Sequence, residues 1–296
     1  MYSFIYKVTE LMKESEVGLK IYDFLDGIGL RGGVNRITFW LNKKDLISKE
    51  EIEENIAYFK GKEAEIEQCS DLLSDEVSKQ VLKQMIKFRC TGLYKDLPPN
   101  SFSKQYFGYD FFKYQEGESY IDCGGYDGDT IMRFKRLMRR KGIKTYSVVV
   151  FEPDSMANKR LKKKYPDVTC IESGLWDKEG DMLIKNTGIG QSVVISESED
   201  ATEANVTRIR VTTLDSNDIC RNATFIKMDI EGSEYKALLG AKHIIKKNTP
   251  KLAICLYHSN EDMLRLIKLV HELNPKYKMY VRQHTNGVNE TVLYAC

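Results

Sequence analysis

The residues best suited to do chemistry lie in the run SYIDCGGYDGDTIMRF at positions 119–134. A short apolar strand runs into Asp122, a glycine-rich turn follows, and a helical pattern begins near Asp129. The glycines of the turn are Gly124, Gly125 and Gly128. Glycine lets a backbone approach a ligand closely, and the start of a helix offers N–H groups that lack intrahelical partners. The order strand, glycine turn, helix is therefore typical of a nucleotide site in an α/β fold.

Two carboxylates at this turn, those of Asp122 and Asp127, favour one class of nucleotide over the others. They would repel a diphosphate, but they would attract a ligand with a sulfonium, an amino group and a ribose diol. We therefore predict S-adenosylmethionine as the cofactor, rather than NAD or ATP. The candidate cofactor-binding residues of this stretch are Asp122, Gly124, Gly125, Tyr126, Asp127, Gly128 and Thr130. The alternative is a plain strand–helix turn in which Asp129 and Thr130 act as helix caps.

Further cofactor candidates follow the next two predicted strands, at ends that a parallel sheet brings to one edge. Glu152 follows the strand 147–151, and its carboxylate can accept hydrogen bonds from both ribose hydroxyls. Ser173 and Gly174 follow the strand 168–172, where the adenine would lie. The alternative for Glu152 is an exposed acid beside a proline turn.

Candidate catalytic residues follow the fourth and fifth predicted strands. Asp229 and Glu231 come after the strand 224–228, and His258 comes after the strand 252–257. A histidine at this edge can take a proton from a substrate hydroxyl at neutral pH. The alternatives are acids that stabilise a helix start and a histidine with a purely structural role.

Composition limits the classes of partner and compartment. The chain has 296 residues, 42% of them hydrophobic, and a formal charge of +2, so neither nucleic acid nor an anionic membrane is expected as an obligatory partner. No early segment resembles a signal peptide and no apolar run is long enough for a membrane span, which predicts a cytoplasmic protein. The seven cysteines are scattered, which indicates reduced thiols, and the cysteines and four histidines show no metal-binding spacing. We therefore predict no metal.

The pattern along the chain divides it into three parts. Residues 1–100 are predicted to be mainly helical, with helices over 48–59 and 71–91, and Gly27–Gly32 is interpreted as a glycine-rich turn. This region is expected to shape the substrate pocket or to form a homodimer contact. Residues 101–117 form a linker rich in Phe and Tyr.

Residues 118–296 alternate strands with helices, which predicts a doubly wound, mainly parallel sheet with helices on both faces. The helices are expected over 129–141, 154–164, 233–246 and 261–273. Asn286-Gly287 is a hairpin signal between two last strands, so the sheet should close with an antiparallel hairpin. An insertion over 178–222 contains a hairpin and a further strand, and it is either a lid over the site or a decoration.

Five segments, in this order and spacing, resemble the FkbM-type methyltransferases. They are Tyr120–Gly128 (YIDCGGYDG), Phe151–Pro153 (FEP), Val211–Asp215 (VTTLD), Ile226–Glu234 (IKMDIEGSE) and Leu238–Ala241 (LLGA). The resemblance covers about three fifths of the chain, from residue 118 to 296. It departs from the family where Tyr257, rather than an acid, precedes His258, and where Gly125 replaces the usual alanine.

The resemblance implies a class I methyltransferase fold, which is Rossmann-like, and makes 118–296 an S-adenosylmethionine-dependent methyltransferase domain. It implies cofactor contacts at Asp122, Gly124 and Glu152, and it places Asp229 and Glu231 beside the reacting centre. We therefore expect methyl transfer to a hydroxyl of a sugar, glycan or secondary metabolite, with His258 or Asp229 as the base. Two alternatives stay open: an NAD(P)-dependent oxidoreductase, and a non-catalytic binding protein with the same fold.

Overall fold

The computed structural model describes residues 47–186, 192–195 and 206–296. The helices are α1 (Lys49–Phe59), α2 (Glu63–Asp71), α3 (Glu76–Thr91), α4 (Asp129–Lys141), α5 (Ser155–Lys164), α6 (Glu234–Leu239), α7 (Lys242–Asn248) and α8 (Asp262–Leu273). The strands are β1 (Glu118–Cys123), β2 (Tyr146–Phe151), β3 (Thr169–Ile171), β4 (Gly174–Leu175), β5 (Gly180–Asn186), β6 (Ser192–Ile195), β7 (Val206–Thr212), β8 (Phe225–Met228), β9 (Lys251–Cys255), β10 (Met279–Gln283) and β11 (Thr291–Ala295). Short 3₁₀ turns lie at Tyr94–Asp96 and Asp218–Cys220.

Among the residues that the structure describes, the large sheet has seven strands in the order β10-β11-β9-β8-β1-β2-β3. Its central strands pair in parallel, whereas β11 runs antiparallel to both β9 and β10. The prediction of a Rossmann-like, doubly wound sheet that ends in an antiparallel hairpin is therefore confirmed. Because β1, β2, β8 and β9 are parallel, their carboxyl ends meet at one edge, and the candidate residues are gathered there.

Local sequence signals account for β1 and α4, the elements before and after the glycine turn. All six residues of β1 are buried, which suits a central strand of a parallel sheet. Gly128 and Gly142 adopt left-handed backbone conformations at the two ends of α4, at φ 79° and 71°. Three basic residues in the last turn of α4 complement the helix dipole. The predicted helix bounds of 129–141 are confirmed.

One predicted helix, 233–246, is wrong because it is two helices, α6 and α7, separated at Gly240. A Cβ at Gly240 would lie 2.1 Å from the carbonyl oxygen of Trp176, so this position packs directly on neighbouring backbone. The carbonyl of Gly240 accepts from the N–H of Asp215 at 2.9 Å. The Asp215 carboxylate then accepts from the N–H groups of His243 and Ile244 and so caps α7.

The N-terminal helices pack into the same core as the sheet. Side chains of α3 such as Leu82 and Met85 lie in one buried cluster with Met279 and Val281 of β10. The predicted helix over 71–91 starts later than expected, because Asp75 caps it by accepting from Ser78 N–H, and α2 precedes it unpredicted.

The linker over 101–117 supplies core residues to the other face of the sheet. Tyr106, Phe107 and Phe112 are buried, and the Phe107 ring contacts the rings of Tyr120 and Phe225 edge to face. The linker is thus packed on the sheet. Because both the linker and the helices join shared cores, the boundaries 1–100, 101–117 and 118–296 stay a prediction.

The insertion forms a second sheet of four strands in the order β4-β7-β5-β6. The predicted hairpin is confirmed as the antiparallel pair β5–β6, and the predicted strand is confirmed as β7. The idea that the insertion is a lid stays a prediction, since residues 187–191 and 196–205 lie outside the described part of the chain. The Gly27–Gly32 turn also lies outside it. Within the described ranges, every helix is too short or too polar to span a lipid bilayer.

Candidate functional site

Asp122 is the last residue but one of β1, is fully buried, and is bound by other parts of the protein. Lys227 of β8 places its Nζ 3.1 Å from Asp122 Oδ1, and the Thr130 hydroxyl donates to Oδ2. Lys227 also donates to the Gly124 carbonyl at 2.8 Å. Burial alone would lower the pKa of Lys227, but Asp122 and Asp229 outweigh burial and raise it. The Asp122 and Thr130 side chains hold the turn in place, and their direct contact with a cofactor stays a prediction.

The glycine turn fits closely between two strands. Gly124 has φ 85°, and a Cβ there would lie 2.0 Å from the carbonyl oxygen of Asp229. A Cβ at Gly125 would lie 2.2 Å from Cγ1 of the buried Val150. An alanine at position 125 would therefore overlap with Val150. Glycine at this position is matched to the larger side chain beside it.

Glu152 follows β2 and joins the glycine turn to the neighbouring strand. Its Oε2 accepts from the N–H of Tyr126 at 2.8 Å, and its Oε1 accepts from the N–H of Asp154 at 2.9 Å. The residue is 7% exposed, and burial raises the pKa of its carboxyl. Each carboxylate oxygen has two acceptor sites, so both can accept a further hydrogen bond from a diol.

Two other residues of the turn differ in what the structure places around them. The Asp127 carboxylate accepts from the N–H of Asp129 at 3.1 Å, so Asp127 acts as a cap at the start of α4. The Tyr126 side chain is 60% exposed and its backbone is left-handed, with φ 40°. Tyr126 therefore presents its ring at the mouth of the turn, where it is available to a ligand.

Ser173 and Gly174 lie at the junction of β3 with the small sheet. The Ser173 hydroxyl is buried and lies within hydrogen-bonding distance of the carbonyls of Gly174 and Arg210, at 3.0 and 3.1 Å. Its hydrogen is therefore used within the protein. The predicted contact of Ser173 with an adenine stays a prediction, and the side chain has a structural role in joining the two sheets.

The structure brings Asp229, Glu231 and His258 together at the ends of β8 and β9. His258 Nε2 lies 3.4 Å from Asp229 Oδ1 and 3.6 Å from Glu231 Oε2. His258 Nδ1 lies 3.1 Å from Oε1 of the buried Glu234. Three carboxylates thus surround one imidazole whose side chain is 7% exposed.

The backbone of the turn after β8 is strained in a way that aims these side chains. Glu231 has φ 54° and Gly232 has φ 92°, both in the left-handed region. A left-handed conformation is costly for a residue other than glycine, and such strain is concentrated at functional sites. The turn directs the Glu231 carboxylate back toward His258, and the Ile230 N–H fixes Glu234 Oε1 at 2.7 Å.

The charges of this cluster decide the protonation of His258. Burial would lower the pKa of His258, but Glu234 and Asp229 outweigh burial and raise it to about 11. Burial raises the pKa of Glu231, while His258 and Lys227 outweigh the desolvation of the half-buried Asp229 carboxyl and hold its pKa well below the ordinary value. His258 therefore carries a proton at neutral pH in this arrangement, and the role of general base predicted for it stays a prediction.

Four residues that complete the site were not among the predicted site residues: Tyr106, Lys227, Glu234 and Tyr257. The hydroxyls of Tyr257 and Tyr106 donate to Asp229 Oδ1 and Oδ2, at 2.8 and 3.1 Å. Lys227 has a detectable signal, since a lysine inside a buried apolar strand needs a charged partner. Tyr106 has no such signal, because it reaches Asp229 from 123 positions away.

A separate basic cleft of about 710 Å³ lies beside α4 and the loop that leads from α4 into β2. It is lined by residues that include Arg136, Arg139 and Lys144, and it contains none of the predicted site residues.

Comparison with known proteins agrees with this architecture. Residues 122–277, more than half of the chain, match the methyltransferase FkbM domain. A solved methyltransferase FkbM from Methylobacillus flagellatus KT has a TM-score of 0.66 and 25% identity, over 81% of this chain and 60% of that chain. This chain thus spans about three fifths of the length of that protein.

A more distant match is Aeropyrum pernix fibrillarin, which was solved with natively bound S-adenosyl-L-methionine. Its TM-score is 0.38 at 10% identity, over 62% of this chain and 67% of that chain, which is too distant to support an argument here. A comparison with curated proteins gives no match. The family match over most of the sheet, with its motifs at the strand ends, shows that this chain belongs to the FkbM methyltransferase family.

Proposed function

We propose that this protein is an S-adenosylmethionine-dependent O-methyltransferase that acts on a hydroxyl of a sugar, a glycan or a secondary metabolite. The observation that carries the proposal is the position of Glu152. Its buried carboxylate links the glycine turn to the end of β2, and both oxygens keep acceptor capacity for a ribose diol.

The donor groups around the turn fit an adenosyl sulfonium ligand. The turn is acidic, with Glu152 and Asp127 at its two sides, and this suits a cationic ligand with a diol better than a pyrophosphate. Gly124 and Gly128 keep the backbone free of side chains where the methionine part would lie. Tyr126 would cover the ligand from the exposed side.

The acceptor would approach the neighbouring strand ends. Asp229 and Glu231 offer carboxylate oxygens to an acceptor hydroxyl, and Tyr106 and Tyr257 hold Asp229 in a fixed orientation. The charged imidazole of His258 would balance these acids and position the acceptor. Most of the rate enhancement would then come from holding the two reactants in line.

When bound, S-adenosylmethionine supplies a methyl group that passes to the acceptor oxygen, while the electrons of the broken C–S bond remain on sulfur. The chain itself binds the ribose through Glu152, orients the acceptor hydroxyl through Asp229 and Glu231, and lets its proton leave along these carboxylates to solvent.

The test is calorimetric binding of S-adenosylhomocysteine to the wild type and to Glu152→Ala. We expect saturable binding by the wild type and a loss of about 10- to 100-fold in affinity in the variant, since charge-assisted hydrogen bonds are lost. Glu272→Ala, which removes an exposed carboxylate on α8, is the matched control and should bind like the wild type. Circular dichroism should show that all three proteins are folded.

The same experiment separates the alternatives. Binding of NADH in place of S-adenosylhomocysteine would refute the proposal and support an oxidoreductase. Binding of S-adenosylhomocysteine without transfer of labelled methyl to any of a panel of sugar, glycan and lipid-linked acceptors would support a non-catalytic protein. Equal affinity in the wild type and Glu152→Ala would remove the ribose assignment.

A further inference from the structure

We propose that Asp229, Glu231 and His258 form a binding site for one divalent metal ion, with Glu234 as the residue that positions His258. This inference differs from the expectation, drawn from sequence spacing, that the protein holds no metal. The three ligands are dispersed over two strand ends, so no short spacing motif reveals them.

The distances suit direct coordination. Asp229 Oδ1 and Glu231 Oε2 lie 3.4 and 3.6 Å from His258 Nε2. Ligands about 2.1–2.2 Å from a common ion are about 3–3.6 Å apart in octahedral or tetrahedral geometry. Each carboxylate is therefore close enough to Nε2 to share an ion with it, and the partly exposed Glu231 side chain can move to close the site. Asp229, Glu234 and His258 also present possible ligand atoms within 4.8 Å of one another.

The surrounding groups provide the support that a metal-binding histidine needs. Nδ1 of His258 faces Glu234 Oε1 at 3.1 Å, and Glu234 is itself fixed by the Ile230 N–H. A metal-binding histidine usually directs its other ring nitrogen to such a carboxylate, which sets the ring orientation and the tautomer. Tyr257 donates to Asp229 Oδ1 and leaves that oxygen a second acceptor site for an ion.

Incomplete hydrogen bonding is the independent sign that a ligand is expected here. The His258 side chain is 7% exposed, and its contacts with carboxylates at 3.1, 3.4 and 3.6 Å are ion pairs in which neither ring nitrogen makes a hydrogen bond of acceptable geometry. Nε2 faces the two proposed carboxylate ligands. Glu234 Oε2 is also buried without a hydrogen-bond partner. Buried polar groups are nearly always satisfied, so these atoms require an explanation. A bound cation would replace the proton on Nε2, which would leave to solvent, and would neutralise part of the excess negative charge.

The ligand set indicates which ion. Two carboxylates and one imidazole match Mn²⁺ best, because carboxylates suit Mg²⁺ and Mn²⁺ while imidazole suits the transition metals. The remaining coordination positions would face the place where an acceptor approaches. If the proposed function holds, on which this role rests, the ion would bind the acceptor hydroxyl and lower its pKa.

The test is a titration of the protein with Mn²⁺, in which electron paramagnetic resonance measures the concentration of the free ion. Neither cofactor nor acceptor is present. We expect one Mn²⁺ per chain in the wild type, competition by Mg²⁺ or Zn²⁺, and a pulsed-resonance ¹⁴N coupling from His258. Glu231→Gln, at a partly exposed position that should tolerate the change, and Asp229→Asn should each lower the affinity by at least about 100-fold. Glu234→Gln should lower it by about 10- to 100-fold.

Glu272→Gln is the matched control and should bind Mn²⁺ like the wild type. The absence of saturable Mn²⁺, Mg²⁺ and Zn²⁺ binding by the folded wild type would overturn the proposal. Binding that is unchanged in both Glu231→Gln and Asp229→Asn would also overturn it, since the ion would then lie elsewhere. S-adenosylhomocysteine binding, measured separately, reports on the proposed function, so the two can fail independently.

Discussion

Two buried histidines in this protein have opposite surroundings. His284 lies 2.6 Å from the Ser101 carbonyl through Nδ1 and 2.8 Å from the Tyr294 hydroxyl through Nε2, and its burial lowers its pKa to about 3. His258 faces carboxylates at both nitrogens, and its pKa is raised to about 11 against the effect of burial. Both ring nitrogens of the neutral His284 have hydrogen-bond partners within the protein. His258 is surrounded by carboxylates but makes no aligned hydrogen bond.

The contrast separates structural polar groups from those available to a ligand. Asp122 resembles His284 because it is fully buried and its partners lie inside the fold: Lys227 forms an ion pair with Oδ1, and the Thr130 hydroxyl donates to Oδ2. Asp229 resembles His258, because it keeps contact with the open end of the sheet and has a partly exposed side chain. Residue type and strand-end position therefore do not by themselves identify a ligand contact. The partners of each polar atom decide its role.

The largest expected effect tests whether Asp122 and Lys227 have a structural role. Lys227→Met would leave the Asp122 carboxylate buried without its counter-charge, and the free energy of unfolding should fall by about 3–5 kcal/mol. Urea denaturation at neutral pH measures the change. The control is Lys135→Met, which breaks the more exposed pair of Lys135 with Asp167 and should cost at most about 1 kcal/mol.

Adding Asp122→Asn to Lys227→Met should recover part of the lost stability, because the buried charge is then removed. A loss below about 1 kcal/mol in Lys227→Met would contradict the view that this pair holds the turn, and Asp122 would then become a stronger candidate for cofactor contact.

The second effect follows from the neutral state of His284. An unfolded histidine takes up a proton near pH 6.5, but folded His284 resists protonation until about pH 3, since it is buried and faces the positive charges of Arg133 and Arg282. The unfolded state therefore binds more protons in this window, and stability falls as the pH falls. Between pH 6.5 and 5 the loss should be about 1.5–2 kcal/mol.

His284→Gln should be less stable than the wild type at pH 7.5, yet its stability should change less between pH 6.5 and 5. Urea denaturation at several pH values measures how the free energy of unfolding changes with pH in each protein. The carboxylates titrate alike in the two proteins, so the difference between the two slopes reports on His284. Parallel slopes in the variant and the wild type would show that His284 is protonated in the fold, and the contrast with His258 would then disappear.

The sequence predicts the scaffold better than it predicts the partners within it. The period of the apolar residues and the glycines at its ends predict α4 to its last residue, and the parallel-sheet rule correctly brings Asp229, Glu231 and His258 to one edge. These features depend on local sequence and on one general rule of topology. They say nothing of which atoms a polar side chain will contact.

The features that the sequence does not predict depend on contacts between distant positions. The break between α6 and α7 arises where Gly240 packs on the Trp176 backbone, and no helix signal near Gly240 reports this. The pairing of Lys227 with Asp122 requires knowing that β8 and β1 are neighbours. The strained turn at Glu231 is maintained by its surroundings, so propensity alone cannot predict it.

The smallest effect concerns how the N-terminal helices support the His258 region. Arg89 of α3 is buried and donates through Nη2 to the Tyr257 carbonyl at 2.6 Å and through Nη1 to Asn260 Oδ1 at 3.1 Å. Asn55 of α1 donates to the Arg89 carbonyl at 2.8 Å. These contacts hold the Tyr257 backbone and the Asn260 side chain, which lie on the two sides of His258 in the sequence. The equivalent support for His284 comes from its own hydrogen bonds.

Arg89→Lys keeps the charge but cannot make both contacts, because an ammonium lacks the planar fork of a guanidinium. We expect a loss of about 1 kcal/mol in stability and weaker Mn²⁺ binding by a few-fold, with S-adenosylhomocysteine affinity unchanged. Calorimetry with each ligand measures the two affinities. If both affinities fall together, Arg89 supports the fold as a whole. If only the affinity for Mn²⁺ falls, the N-terminal helices position His258 in particular. His258, which makes no hydrogen bond of its own, would then depend on a neighbouring region for its orientation.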